Sequence, residues 1–258
     1  MINKSTEVPD ELKDEFKRTQ NIVDSFIWWL SFCMSDTARD SNFTKNHLLS
    51  FLFQDILETL FSVKLNVIEG IHAPSIRESR YILELSIKVA LIQTENYSSS
   101  IEEKLNQFNR EIKEPSISPM KRINLQYLKE DTKVALLEEV GRLYGQVSSF
   151  VHVTPKSIEY RQNRMNKGRV LGRESAEDIA NLNNLLERIY AASLVFLSHS
   201  VPQYVIGDWH VPSDGELIKW YYMKSKYLSE IDSNFDYKHE RQEVLERVTM
   251  ERHNNISF

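Results

Sequence analysis

An all-α fold is what this sequence predicts, and three features of the chain carry that expectation. Glycine and proline are scarce, seven of each in 258 residues, whereas β folds need many turns. Apolar residues recur three and four apart over long stretches, the spacing that gathers them on one side of a helix. Hydrophobic residues make up 41% and charged residues 27%, which suits a globular chain and is too apolar for general disorder. The expected architecture is a multi-helix bundle over 1–213, with an amphipathic helical C-terminal extension over 214–258 that is not independent of it.

The elements follow in order. Asp10 to about Asp36 reads as a first helix, with Pro9 at its start and Phe16, Ile22, Phe26, Leu30 and Met34 on its core face. Asn42 or Thr44 can cap a second helix running to about Glu69. Gly70 and Pro74 break the chain, and Ser75 to about Thr94 is the third and most apolar helix, since only Glu84, Ser86 and Lys88 are polar between Tyr81 and Ile92. A helix apolar nearly all round belongs at the centre of a bundle. Ser100 to about Ile112 is shorter, and the prolines at 115 and 119 mark a loop. Lys129 to Val153 is the next long helix, followed by a basic, irregular segment over 156–173. Ser175 and Asp178 resemble a capping box opening a helix to about Ser200. Pro202, Gly207 and Pro212 punctuate a connector before two amphipathic helices at about 214–231 and 237–252.

Composition narrows the chemistry. The single Cys33 excludes an internal disulfide and a cysteine metal cluster, and its neighbours Phe32 and Met34 point to a buried thiol. No H-E-x-x-H, G-x-S-x-G or phosphate-cradling glycine pattern occurs, so neither a metal nor a cofactor is expected. The N-terminal residues lack the layout of a signal peptide, and no apolar run approaches the ~20 residues that span a bilayer. The expectation is a cytoplasmic chain with no membrane partner. A net charge of −5 argues against a general coating of nucleic acid, although the charge is unevenly spread.

Two helical motifs stand out. Arg77, Arg80 and Glu84 are spaced i, i+3, i+7 on one helix face, and Arg80 and Glu84 can pair directly. A carboxylate within so apolar a run needs a partner, whether the pair fixes helix register or forms a site. In the helix before Thr154, Gly141, Gly145, Ser148 and His152 share a strip with Tyr144 at its border. Each glycine weakens the helix by about 1 kcal/mol relative to alanine, which small side chains admitting a close neighbour helix would offset. His152 would then sit in that seam, either as a satisfied core histidine or as part of a site.

Together, Arg80-x-x-x-Glu84 and Tyr144-x-x-x-Ser148-x-x-x-His152 resemble a bacterial all-helical family allied to the HEPN superfamily and to abortive-infection proteins. The resemblance spans roughly residues 40–200 and implies a HEPN-like core. It further implies a metal-independent ribonuclease, acting in antiphage defence or a toxin–antitoxin system, in which a helix-borne His cuts RNA through attack of the 2′-hydroxyl. HEPN ribonucleases carry an Arg shortly before that His. Here Val147, Gln146 and Gly145 occupy those positions, and Arg142 lies further upstream. A cation would have to come from Arg77 or Arg80 on the other helix. The expected catalytic set is therefore Arg80, Glu84, His152, Arg77, Ser148 and Tyr144.

The segment after His152 adds a nucleic-acid candidate. Lys156, Arg161, Arg164, Lys167, Arg169 and Arg173 face only Glu159, with Tyr160 among them. Cations beside an aromatic can hold a phosphate backbone and stack a base, so RNA is the expected ligand. The missing Arg before His152 favours a different reading, a non-catalytic module that binds a protein or nucleic acid and forms a homodimer through its C-terminal helices. A third reading is a nucleotide sensor using Arg77 and Arg80. Among the remaining histidines, His199 reads as core, and Asp208 with His210 lacks a third ligand partner.

Overall fold

The computed structural model describes residues 9–111, 117–150, 155–168 and 174–258. Among them the chain is all-helical, with no strand. Its α-helices are α1 (Asp10–Thr37), α2 (Phe43–Asn46), α3 (Leu48–Ile68), α4 (His72–Glu95), α5 (Ile101–Glu111), α6 (Glu130–Ser148), α7 (Pro155–Asn166), α8 (Ala176–Ser198), α9 (Gln203–His210), α10 (Lys226–Ser233) and α11 (Leu245–Asn255). Short 3-10 turns at Ser118–Arg122, Tyr221–Lys224 and His239–Arg241 complete the set.

Four long helices form a closed ring in which α1 packs on α3, α3 on α4, α4 on α8 and α8 on α1. The three-residue link between α3 and α4 makes them antiparallel neighbours. Helix α4 also meets α5 and α6, so it is central, as its composition predicts. Ile82, Leu83, Ile87, Val89, Ala90, Leu91 and Ile92 are buried along it. Truncating one such leucine to alanine costs about 2–5 kcal/mol. Polar ties fix the register of the ring. Asn183 on α8 accepts from Thr19 at 2.7 Å and donates to the Glu15 carbonyl at 2.9 Å. Ser79 on α4 and Tyr190 on α8 share a buried hydrogen bond of 3.0 Å. The capping box at Ser175 and Asp178 is present, and Cys33 is buried.

Several elements depart from the expected outline. The second helix is interrupted at His47, whose extended backbone separates α2 from α3 and whose ring accepts from the Leu49 N–H as the cap of α3. Helix α4 begins at His72, because Pro74 falls in its first turn, where the missing N–H loses no hydrogen bond. The segment taken as irregular contains α7: Pro155 opens it, and no glycine or proline follows before Gly168. The connector holds α9, with Gly207 inside it.

The C-terminal region differs most. No α-helix covers 214–225, where one was expected; Trp220 is extended and donates its indole N–H to the Ser25 carbonyl at 2.9 Å. Tyr222 donates to the Ile22 carbonyl at 2.8 Å. Leu217, Trp220, Met223, Leu228, Ile231 and Val248 are buried, with α10 packed on α8 and the Tyr221–Lys224 turn on α1. Much of the apolar surface of this region is thus inside the fold, while Tyr237 and Met250 stay exposed. No helix among the described residues is long and apolar enough to cross a membrane.

Candidate functional site

Helices α4 and α6 bring together three of the residues singled out by the sequence. Arg80 Nε donates to Glu84 Oε1 at 2.6 Å, as their spacing on one helix face allows. Its Nη2 donates to the Tyr144 hydroxyl at 2.7 Å, and the guanidinium carbon lies 4.9 Å from the centre of the tyrosine ring. Both charged side chains are partly shielded, at 16% and 20% exposure. The arrangement ties α4 to α6 and engages two of the five Arg80 N–H donors before any ligand arrives. Arg77 is exposed and has no partner among the described residues. Ser148 Oγ is buried with no hydrogen-bond partner among them. His152 lies outside the described residues.

The glycine strip of α6 does not receive a neighbouring helix. Gly141 and Gly145 are exposed, and a Cβ built on either meets nothing within 4 Å. The expected close approach is absent because α6 packs on α4 and α8 through Leu136, Val140, Leu143 and Val147, on its other side.

Helix α7 sorts the basic residues into different environments. Arg161 and Lys167 are exposed and form no ion pair with a described residue. Arg164 instead turns inward, donating from Nη2 to Glu174 Oε1 at 3.0 Å, with both side chains largely buried at 17% and 7% exposure. Its guanidinium stands 5.8 Å from the Tyr160 ring centre. Arg164 is therefore structural as well as basic. The backbone of Lys156 belongs to α7, while its side chain, Arg169 and Arg173 lie outside the described residues.

Beneath α7 lies a feature that the sequence reading missed. A cavity of about 330 Å³ opens between the first turn of α4 and α7, lined by His72, Ala73, Pro74, Tyr160, Arg161 and Met165 among others. A second lobe of about 140 Å³ shares His72, Phe150 and Tyr160 with it and adds Gln146, Asp178 and Asn181. Phe150 and Tyr160 meet edge to face with ring centres 5.1 Å apart. His72 is 2% exposed, and its Nε2 has no hydrogen-bond partner. Burial, reinforced by the Arg164 guanidinium and opposed by Asp178, holds its imidazole at about 4, so it is neutral near pH 7. The α4 start has no side-chain cap. The Glu174 carboxylate lies over Gly70, where a Cβ would overlap it. The legible signal was Pro74: read as a first-turn proline, it puts His72 at a helix start.

His47, His199 and His210 are structural. His47 Nε2 bonds the Ser200 carbonyl at 2.8 Å and its Nδ1 accepts from Leu49 N–H at 3.1 Å. His199 Nδ1 bonds the Val195 carbonyl at 2.7 Å and its Nε2 accepts from Tyr127 N–H at 3.3 Å. Asp208 pairs with Lys238 and Arg39 at the surface, while His210 is buried beside Asp232. Among the described residues no group of three His, Cys, Asp or Glu side chains is arranged to hold a metal.

Comparison of the chain with protein-family models, curated proteins and solved structures finds no match. The functional reading therefore rests on the residues themselves.

Proposed function

We propose that this chain is a HEPN-like, RNA-directed helical effector of bacterial antiphage defence or a toxin–antitoxin system, and that it grips RNA along the outer edge of α7. The observation that carries this reading is the state of Arg161 and Lys167: both are exposed and unpaired among the described residues, and Arg161 lies beside the aromatic pair of Phe150 and Tyr160. In a chain of net charge −5, cations unpaired among the described residues and an edge-to-face ring pair form a local footprint for a phosphate backbone.

In the ribonuclease form of this proposal, His152 is the general acid or base and no metal takes part. Because Arg80 already serves Glu84 and Tyr144, the cation for the phosphate comes from Arg77 or from α7. That same engagement of Arg80 favours a second reading, in which the module holds RNA or a protein partner as a dimer and does not cut.

Fluorescence anisotropy with a short single-stranded RNA over a salt series tests the grip. Affinity falls with rising salt, and Arg161→Glu combined with Lys167→Glu weakens binding and flattens the salt slope. Unchanged affinity and slope in the double variant remove nucleic acid from the reading.

A further inference from the structure

We infer that the two-lobed cavity between the start of α4 and α7 is a binding site for a nucleobase joined to a phosphate, with the ring against Phe150 and Tyr160, its polar edge on His72 Nε2 and the phosphate on Arg161. The volume of the larger lobe, about 330 Å³, falls in the range of about 300–1,000 Å³ typical of small-ligand sites. Its character fits a flat, partly apolar ligand. Ala73, Pro74 and Met165 line it together with Tyr160 and Phe150, and edge-to-face aromatics leave ring faces for stacking.

His72 is the independent sign that something polar belongs there. A buried nitrogen without a partner is destabilising unless a ligand or water satisfies it, and the residue that carries this one, His72, lines both lobes. As a neutral ring it can donate or accept, which suits the edge of a base. The smaller lobe adds the amides of Gln146 and Asn181, further groups able to read exocyclic substituents.

The negative end of the ligand is assigned by what remains free. Arg164 is neutralised by Glu174, whereas Arg161 lines the same lobe without an ion pair among the described residues. The first turn of α4 also borders the lobe, and its N–H groups carry the positive end of a 24-residue helix that no side chain caps. The same chemistry is offered by a free nucleoside monophosphate and by the phosphorylated end of an RNA strand.

The inference stands whether or not the outer edge of α7 binds RNA. Calorimetric titration of the full chain with 5′-AMP, 5′-UMP, adenosine and ribose 5-phosphate tests it. At least one monophosphate binds more tightly than its own nucleoside or the sugar phosphate alone. Arg161→Ala weakens that monophosphate by about tenfold or more, as expected for loss of a charge-assisted bond, and leaves adenosine unchanged. His72→Leu weakens both nucleotide and nucleoside. Because His72 is buried, the folding of that variant is checked by circular dichroism; Arg161 is exposed, and its variant tests the site even if His72→Leu fails to fold. Competition by a 5′-phosphorylated oligonucleotide but not its 5′-hydroxyl form identifies a strand end, and competition by neither identifies a free nucleotide; both outcomes uphold the site. No binding of either monophosphate to the native chain, or binding indifferent to Arg161→Ala, overturns it. Salt-dependent RNA binding with no mononucleotide response overturns this inference alone.

Discussion

The Arg241 guanidinium donates from Nη1 to Asp232 Oδ2 at 3.1 Å, and neither side chain has any exposed surface. The second Arg241 terminal nitrogen reaches the His210 carbonyl at 2.6 Å, and Arg252 Nε bonds the same aspartate oxygen at 2.7 Å. Asp232 therefore draws together α9, the His239–Arg241 turn and α11. Although burial opposes its ionisation, the histidine and arginine beside it hold its carboxyl well below the usual carboxylate range. An ion pair so enclosed is strongly destabilising when half of it is removed, because the remaining charge has no solvent to turn to.

Asp232→Ala accordingly lowers the stability of the whole chain by about 3–5 kcal/mol, read from the denaturant midpoint. A separate early transition confined to the C-terminal region, with the bundle unaffected, would show that this lock serves only its own segment.

Acid should unfold the protein earlier than its carboxylates alone would. His47 and His199 each give one nitrogen to a carbonyl and receive a backbone N–H on the other, so protonation would set a donor against a donor. Burial holds both at about 4, against about 6.5 in an unfolded chain. Between those values the unfolded chain binds more protons, so the stabilisation is complete above pH ~6.5 and is lost progressively towards pH ~4. A urea midpoint that does not move between pH 7 and pH 4.5 contradicts this.

The exposed glycines of α6 offer a direct test of whether a partner covers them. With open space around both positions, Gly141→Ala and Gly145→Ala each stabilise the isolated chain by up to about 1 kcal/mol. Destabilisation, or a dimer in the native chain that the substitutions dissociate, would mean that another helix lies on the strip.

Arg80 and His152 separate structure from catalysis. Tyr144→Phe removes one hydrogen bond to Arg80 and costs about 0.5–1.5 kcal/mol, with no effect on RNA affinity. If the chain cuts RNA, it does so with chelator present, and His152→Ala abolishes the cleavage while leaving affinity intact. Full cleavage by that variant would take His152 out of the mechanism.

Much of the fold was legible because burial imposes a period on the sequence. The long runs of α1, α4 and α8 each exceed twenty residues, enough turns for the apolar spacing to be unambiguous. The misread elements are short or unusually composed. The charge of α7 hides a helix whose inner side carries Tyr160 and Arg164, and α9 lies between two prolines. The stretch before α10 is apolar but holds no α-helix: Trp220 is extended, Tyr222 sits in a 3-10 turn, and both bond to α1 across the chain. Of the candidate site, the Arg80–Glu84 pair was readable because its partners sit one turn apart, whereas the bond to Tyr144 spans 64 positions.

By itself the sequence determined the helical class, the central burial of α4 and the Arg80–Glu84 pair, since each follows from residues within a few turns of one another. Only the tertiary structure decided that Arg164 faces inward, that Gly141 and Gly145 face open space, and that His72 lines a cavity with Phe150 and Tyr160. Those outcomes depend on how distant helices meet. A side chain's partner across the fold is set by packing geometry, and no local period encodes it.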